Sequence, residues 1–287
     1  MPLRVLRGIP VPWRVRDDSS LQGVLDLEVR EDDIFVISYP KSGTVWLQKI
    51  VSCILGCGED QTNVNLGLEL SLGSGGSEEE IRAAPPVYKV VETWTSPRVM
   101  ITHLLPRLLP AQLLAKKAKM LYIARNPKDV VVSYSHFTSA VKAPEPFPQW
   151  EEFVPAFLEG NMPYGSWFTH VKQYWEMRHH ENFLFLKYED LKKDEHAVIH
   201  QVGRYLGQNL DAQKIKEISD HCSIDSMRKK FSEKKQAITM FMDETKSPFV
   251  RKGKVGDWRE RLTTAQSQQF DQLYEEHLGG SGLTFDY

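Results

Sequence analysis

The chain has 287 residues, 41% of them hydrophobic, enough to bury a sizeable core, and a prior of roughly 150 residues per domain leaves one large or two small domains open. Lysine plus arginine (36) nearly balance aspartate plus glutamate (38), for a formal net charge of -2, so no overall field draws the protein to nucleic acid or membrane and any anion site has to be local. Three cysteines, Cys53, Cys57 and Cys222, are too few and scattered for a disulfide framework, and no apolar run suits a signal peptide or approaches the ~18 residues of a membrane span, so a cytoplasmic protein is expected.

Along the chain, IFVISY (34–39) is a short β-branched run that stops at Pro40 and reads as a buried parallel strand, followed by a helix from about Thr44 to Gly56. The same grammar recurs at Arg98 to Thr102, at KMLYIA (119–124) and at Phe183 to Tyr188, each run followed by a turn and a helical pattern. Strands alternating with helices imply right-handed crossovers and one parallel sheet, so the fold class expected is α/β, a central parallel sheet flanked by helices. SLGSGGSEEE (71–80) and KAPEPFP (142–148) read as irregular rims of a pocket, as does the long stretch from about Ser232 to Trp258 that carries Phe241, Met242, Phe249 and RKGK. No linker divides the chain, and one domain over residues 1–287 is expected.

The chemistry concentrates where strands end. YPKSGTVW (39–46) joins a strand to a helix, and a Ser42-Gly43-Thr44 turn entering a helix offers free N–H groups and the positive end of the helix dipole to a phosphate, with Lys41 as a mobile cation. Lysine precedes the glycine, so this is not the P-loop pattern of nucleotide triphosphatases, and the stretch on its own also fits a tight turn with a surface lysine. ARNPKDVVVS (124–133) places Arg125 at a strand exit and Ser133 in the next helix, a pair able to grip a second phosphate; the same residues also read as ordinary helix-start chemistry. Arg251, Lys252 and Gly253 form a third basic patch, whose plain reading is a solvated loop.

His103 follows the strand ending near Thr102, and Lys41, His103, Arg125 and Tyr188 all obey the rule that ligands bind beyond the carboxyl ends of parallel strands. An imidazole there suits acceptance of a hydroxyl proton near neutral pH. Carboxylates paired for Mg²⁺ beside the phosphate loop are missing, which weakens an ATP-dependent kinase, and no metal is expected. His196 and His200, at i, i+4 but with Ala197 where a zinc protease carries Glu, read as surface residues, as does the basic run RKKFSEKK (228–235). Cys53 and Cys57 read as packing groups one helical turn apart.

With YPKSGTVW, THLLP around His103, ARNPKDVVVSY and RKGKVGDW in this order, supported by YGSW (164–167) and KYED (187–190), the chain resembles the cytosolic sulfotransferases over nearly its whole length. The resemblance implies transfer of a sulfuryl group from 3′-phosphoadenosine 5′-phosphosulfate (PAPS) to a small phenol, alcohol, steroid or amine, with PAP as product and no metal. Lys41, Ser42, Gly43, Thr44, Val45 and Trp46 would hold the 5′-phosphosulfate end, with Trp46 near the adenine. Arg125, Ser133, Arg251, Lys252 and Gly253 would hold the 3′-phosphate, and Tyr188, Cys222, Ile224 and Phe249 complete the expected nucleotide site. By the same analogy His103 is the base and Lys41 stabilises the leaving phosphate oxygen. Phe137, Phe168, Phe241 and Met242, with His103, are the expected acceptor lining.

The chain departs from the family pattern at Val45, where a second Thr is usual, at Ile101, where Lys is usual, and at Cys222 and Ile224, which replace a Thr and an adenine-stacking Phe. Losing one hydroxyl contact costs about 1 kcal/mol, whereas losing a cation near the transferring group costs more in a dry site. The alternative reading is therefore a catalytically weak nucleotide-binding protein of the same fold. The family's dimer segment appears as Arg259, Thr263, Thr264 and Gln268 without its carboxylate, so a monomer or weak homodimer is expected, with a small-molecule acceptor as partner and neither nucleic acid nor membrane.

Overall fold

Short apolar runs with no polar alternation need cover on both faces. The computed structural model describes residues 3–56, 70–72, 77–233, 239 and 241–287. Cys57, and parts of the 71–80, 228–235 and 232–258 segments, lie outside the described residues. A hairpin of β1 (Arg4–Leu6) and β2 (Ile9–Val11) leads to helix α1 (Asp18–Leu25), capped by the Asp17 carboxylate, which accepts from the N–H groups of Ser19 and Ser20. Then follow β3 (Ile34–Ile37), α2 (Thr44–Leu55), α3 (Glu78–Ala83), α4 (Val87–Glu92), β4 (Val99–Thr102), α5 (Gln112–Ala115), β5 (Lys119–Ala124) and α6 (Pro127–Ala140). The chain continues through α7 (Trp150–Leu158), α8 (Trp167–Glu176), β6 (Phe183–Lys187), α9 (Tyr188–Lys193), α10 (Glu195–Tyr205), α11 (Ala212–Cys222) and α12 (Ile224–Glu233). After a 3-10 turn at Asp257–Glu260, it ends with α13 (Thr264–Leu278).

The main sheet is parallel throughout in the order β4-β3-β5-β6, so the expected α/β architecture is the one observed. Strand alternation divides the interior in two. Phe35, Ile37, Met100, Met120 and Tyr122 face one core, and Ile34, Val36, Val99, Ile101, Leu121 and Ile123 face the other, which is covered by α2, α10 and α11. The expected strand bounds shift slightly. β3 stops at Ile37, although Ser38 still donates to the Thr102 carbonyl, and Tyr188 opens a helix instead of closing a strand.

Because β3 pairs with β4 and β5 in register, with Ile37 opposite Thr102 and Tyr122, the residues just beyond the three strands emerge at one edge. Asn126 then turns the chain into α6, its side chain accepting from Asp129 N–H and Pro127 occupying the first turn. His196 and His200 are exposed on α10, as expected. Among the described residues no helix is long and apolar enough to cross a membrane.

Candidate active site

Lys41 and Gly43 take positive φ, 69° and 106°, in the turn that ends at α2. At Gly43 a Cβ would stand 2.9 Å from the Tyr188 ring, so this position has room only for glycine. Gly43 offers α2 no side-chain cap, which leaves the first-turn N–H groups facing outward. The Lys41 ammonium lies 4.3 Å from the Phe137 ring centroid and 5.2 Å from that of Phe249. Burial, reinforced by Arg125 and Arg251, lowers it from its ordinary value to about 7.

His103 sits directly after β4. Its Nδ1 is 2.7 Å from the Ser38 carbonyl oxygen, an arrangement in which Nδ1–H donates and Nε2 carries the lone pair. Burial lowers this imidazole to about 4, against the raising effect of the Ser38 carbonyl and with Lys41 adding to the lowering, so it is neutral at physiological pH. Ser38 Oγ also lies 2.6 Å from Thr44 Oγ1, which ties the edge carrying His103 to the start of α2. The Tyr164 ring packs edge-on at 5.3 Å from the His103 ring.

Arg125 and the RKGK segment are held together by a buried carboxylate. Asp129 accepts from Gly256 N–H at 2.9 Å and from Trp258 N–H at 3.0 Å, while Arg125 Nη2 donates to the Lys254 carbonyl at 3.0 Å. Gly253 adopts φ 63°, and a Cβ there would stand 2.2 Å from Ile224 Cδ1. Arg125 stacks over the Tyr188 ring at 4.4 Å, and Trp46 meets Tyr188 edge-on at 5.6 Å. Burial raises the Asp257 carboxyl, but hydrogen bonds from Lys252 and Arg251 outweigh it and leave the group at about 2.

These residues line one cavity of about 520 Å³. It brings together Lys41, Gly43, Thr44, Val45, Trp46, His103, Arg125, Ser133, Tyr188, Cys222, Ile224, Phe249, Arg251, Lys252 and Gly253, along with Phe137 and Phe241. Ser42 lies beneath the lining, fully buried. Its Oγ, with Trp46 Nε1, Arg125 Nε and Arg251 Nε, is buried without a hydrogen-bond partner in the protein. Such donors around a cavity fit a ligand rich in acceptor oxygens, as an adenosine bisphosphate derivative is. Ile101 also reaches the cavity wall while packing on the α2 side of the sheet.

Two expected acceptor contacts fail. Phe168 is fully buried against Trp167 and His277 because its position on α8 faces the core, and Met242 is buried in a small cluster with Ala140, behind the cavity wall. Leu72 and Phe147 line the cavity from the two segments expected to rim it, while the Pro12–Arg14 turn and Tyr164 line it without having been singled out. Tyr164 was within reach of sequence reasoning, because it opens the YGSW stretch; the Pro12–Arg14 turn carries no such signal.

The sequence profile of the sulfotransferase domain matches residues 31–282. Sulfotransferase 1B1 of Mus musculus is 36% identical over 293 residues, spanning 99% of this chain and 94% of the relative; Sulfotransferase 1C2 of Oryctolagus cuniculus is 36% identical over 288 residues, spanning 99% and 95%. Among solved structures, mouse sulfotransferase SULT7A1 complexed with PAP has a TM-score of 0.81 at 29% identity, covering 97% of this chain and 95% of its own. Retinol dehydratase, in complex with androsterone and PAP, shares the fold at TM-score 0.82 and 24% identity, covering 99% and 92%. The chain is a group-transfer enzyme with an α/β fold, and it belongs to the sulfotransferase family.

Proposed function

We propose that the protein transfers the sulfuryl group of PAPS to a hydroxyl or amine of a small, largely hydrophobic acceptor. The observation that carries this reading is the His103 tautomer: with Nδ1–H committed to Ser38 O, Nε2 is left as a neutral base in the cavity that also holds Lys41. The acceptor proton passes to Nε2 and the acceptor oxygen bonds to sulfur. The bond from sulfur to the 5′-phosphate oxygen breaks, and its electron pair stays on PAP, where protonated Lys41 stabilises it. Arg125, Ser133 and Arg251 to Gly253 take the 3′-phosphate, and the outward N–H groups of α2 with Lys41 take the 5′ end. The buried, unpartnered Arg125 Nε and Arg251 Nε support this assignment.

The PAP bound to the mouse SULT7A1 relative supports the choice of nucleotide. The whole chain is read as one domain, and the cytosol as its compartment, on the resemblance of the ordered motifs to the cytosolic branch. A monomer is the assembly favoured here: Arg259 donates to the Tyr287 carbonyl of its own chain at 2.6 Å, and Thr263 closes the capping box of α13 with Gln266. An acceptor screen with PAPS, read by mass spectrometry, tests the proposal. It predicts sulfated phenols or alcohols; PAP-induced thermal stabilisation without any sulfated product favours instead the catalytically weak nucleotide binder suggested by Ile101.

A further inference from the structure

The acceptor side of the cavity is walled by Trp13, Leu72, Phe147, Tyr164 and Phe241, all apolar or aromatic, and into this wall the chain sets a guanidinium, that of Arg14. Three contacts build its position. Val15 N–H closes a turn on the Pro12 carbonyl at 2.9 Å, with fully buried Val11 and Val15 anchoring both sides. Arg4 donates to the carbonyls of Val15 and Arg16. Tyr164 N–H donates to the Pro10 carbonyl at 2.8 Å, which joins this turn to the segment whose aromatic ring touches His103. The Arg14 guanidinium stands 6.0 Å from the Phe241 ring centroid and 5.9 Å from that of Trp13.

Burial lowers the Arg14 pKa, with Tyr164 opposing that effect. Tyr164 packs its ring against His103, and Arg14 lines the same cavity. Phosphate recognition belongs to the other side, where Arg125 and Arg251 to Gly253 gather; the lining carboxylate Glu195 is also at that end, accepting from Ser219 Oγ at 3.0 Å. A planar guanidinium in an apolar wall is a strong receptor for a carboxylate, because charge-assisted paired bonds gain strength where water is scarce.

We infer that the acceptors of this enzyme are hydroxyaryl carboxylates, the hydroxyl presented to His103 and the carboxylate to Arg14. This rests on the sulfuryl-transfer reading above and specifies its acceptor. The test compares 3-(4-hydroxyphenyl)propanoate with its methyl ester, which differ in charge and hardly in shape. The wild-type kcat/KM for the acid should exceed that for the ester by about tenfold, a typical effect of one charge-assisted pair. In Arg14→Met that ratio should collapse towards one, and in Arg14→Lys it should recover in part. Equal use of the two compounds by the wild type, or an unchanged ratio in Arg14→Met, overturns the inference; so does a change in the KM for PAPS alone, which would make Arg14 a nucleotide contact. If neither compound is sulfated, the transfer reading fails on its own, and calorimetry of acid and ester with the PAP-bound protein then decides about Arg14: tighter binding of the acid supports it, and equal binding rejects it.

Discussion

Lys41 and His103 set opposite limits on the pH range of the free enzyme. His103 acts as a base only when neutral, so kcat/KM should climb as pH rises through about 4; Lys41 assists only when protonated, so kcat/KM should fall as pH rises through about 7. Lys41→Arg keeps its charge throughout this range, and its profile should lose the alkaline limb whatever its absolute rate. A wild-type profile flat from pH 6 to 9 (roughly, the span of ordinary enzyme assays) would contradict the assigned roles. His103 was legible in the sequence because a histidine placed directly after a strand inherits the location of the strand end. Phe168 was misread for the complementary reason: an aromatic residue on a helix carries no mark of which face meets the core and which meets a cavity. Arg14 was not legible at all, since a lone arginine in a proline-containing turn looks the same whether it faces solvent or a pocket.

The elements meet at Asp129 and Gly253, and each supports a prediction. Asp129→Asn replaces a carboxylate that accepts from Gly256 and Trp258 N–H groups, so the RKGK segment should loosen. Weakening hydrogen bonds to a charged acceptor costs about 2 kcal/mol; urea unfolding should show that loss, and calorimetry a weaker affinity for PAP. Gly253→Ala meets Ile224 Cδ1 at 2.2 Å and holds a non-glycine residue at φ 63°. It should weaken PAP binding about tenfold, since a left-handed non-glycine residue costs roughly 1–2 kcal/mol. Ile224→Ala added to it should restore part of that affinity, removing the clash while leaving the backbone strain; no recovery would mean that the clash is not the cause. The parallel strands were readable because β-branched runs of this length bury both faces, and their ends differ by one or two residues, β3 stopping at Ile37, β4 starting at Val99 and helix geometry beginning at Tyr188. The loop contacts were not readable. That Asp129 reaches Gly256 depends on the packing of α6 against the 3-10 turn at Asp257–Glu260, and nothing in local composition encodes that approach.

At the scale of the whole molecule, the ordered motifs made family and sheet legible together, because four short segments far apart in sequence come to line one cavity at one edge of one sheet. Acceptor specificity was not legible, because on the proposed reading it is set by where the turn after β2, the Tyr164 segment and the 241–250 stretch come to rest around the cavity. The self-contained use of Arg259 and Thr263 predicts a sedimentation coefficient for a single chain at micromolar concentration (about the range of routine ultracentrifugation), and a dimer there would contradict it. The most direct test of the central claim separates nucleotide binding from transfer in His103→Gln, with PAP affinity measured by calorimetry and transfer from labelled PAPS measured in a single turnover. The account predicts PAP affinity within about threefold of wild type and transfer slowed by a factor on the order of 10² to 10⁴, the usual contribution of a general base. Transfer at the wild-type rate in that variant would show that His103 is not the base and would contradict the reading of the site.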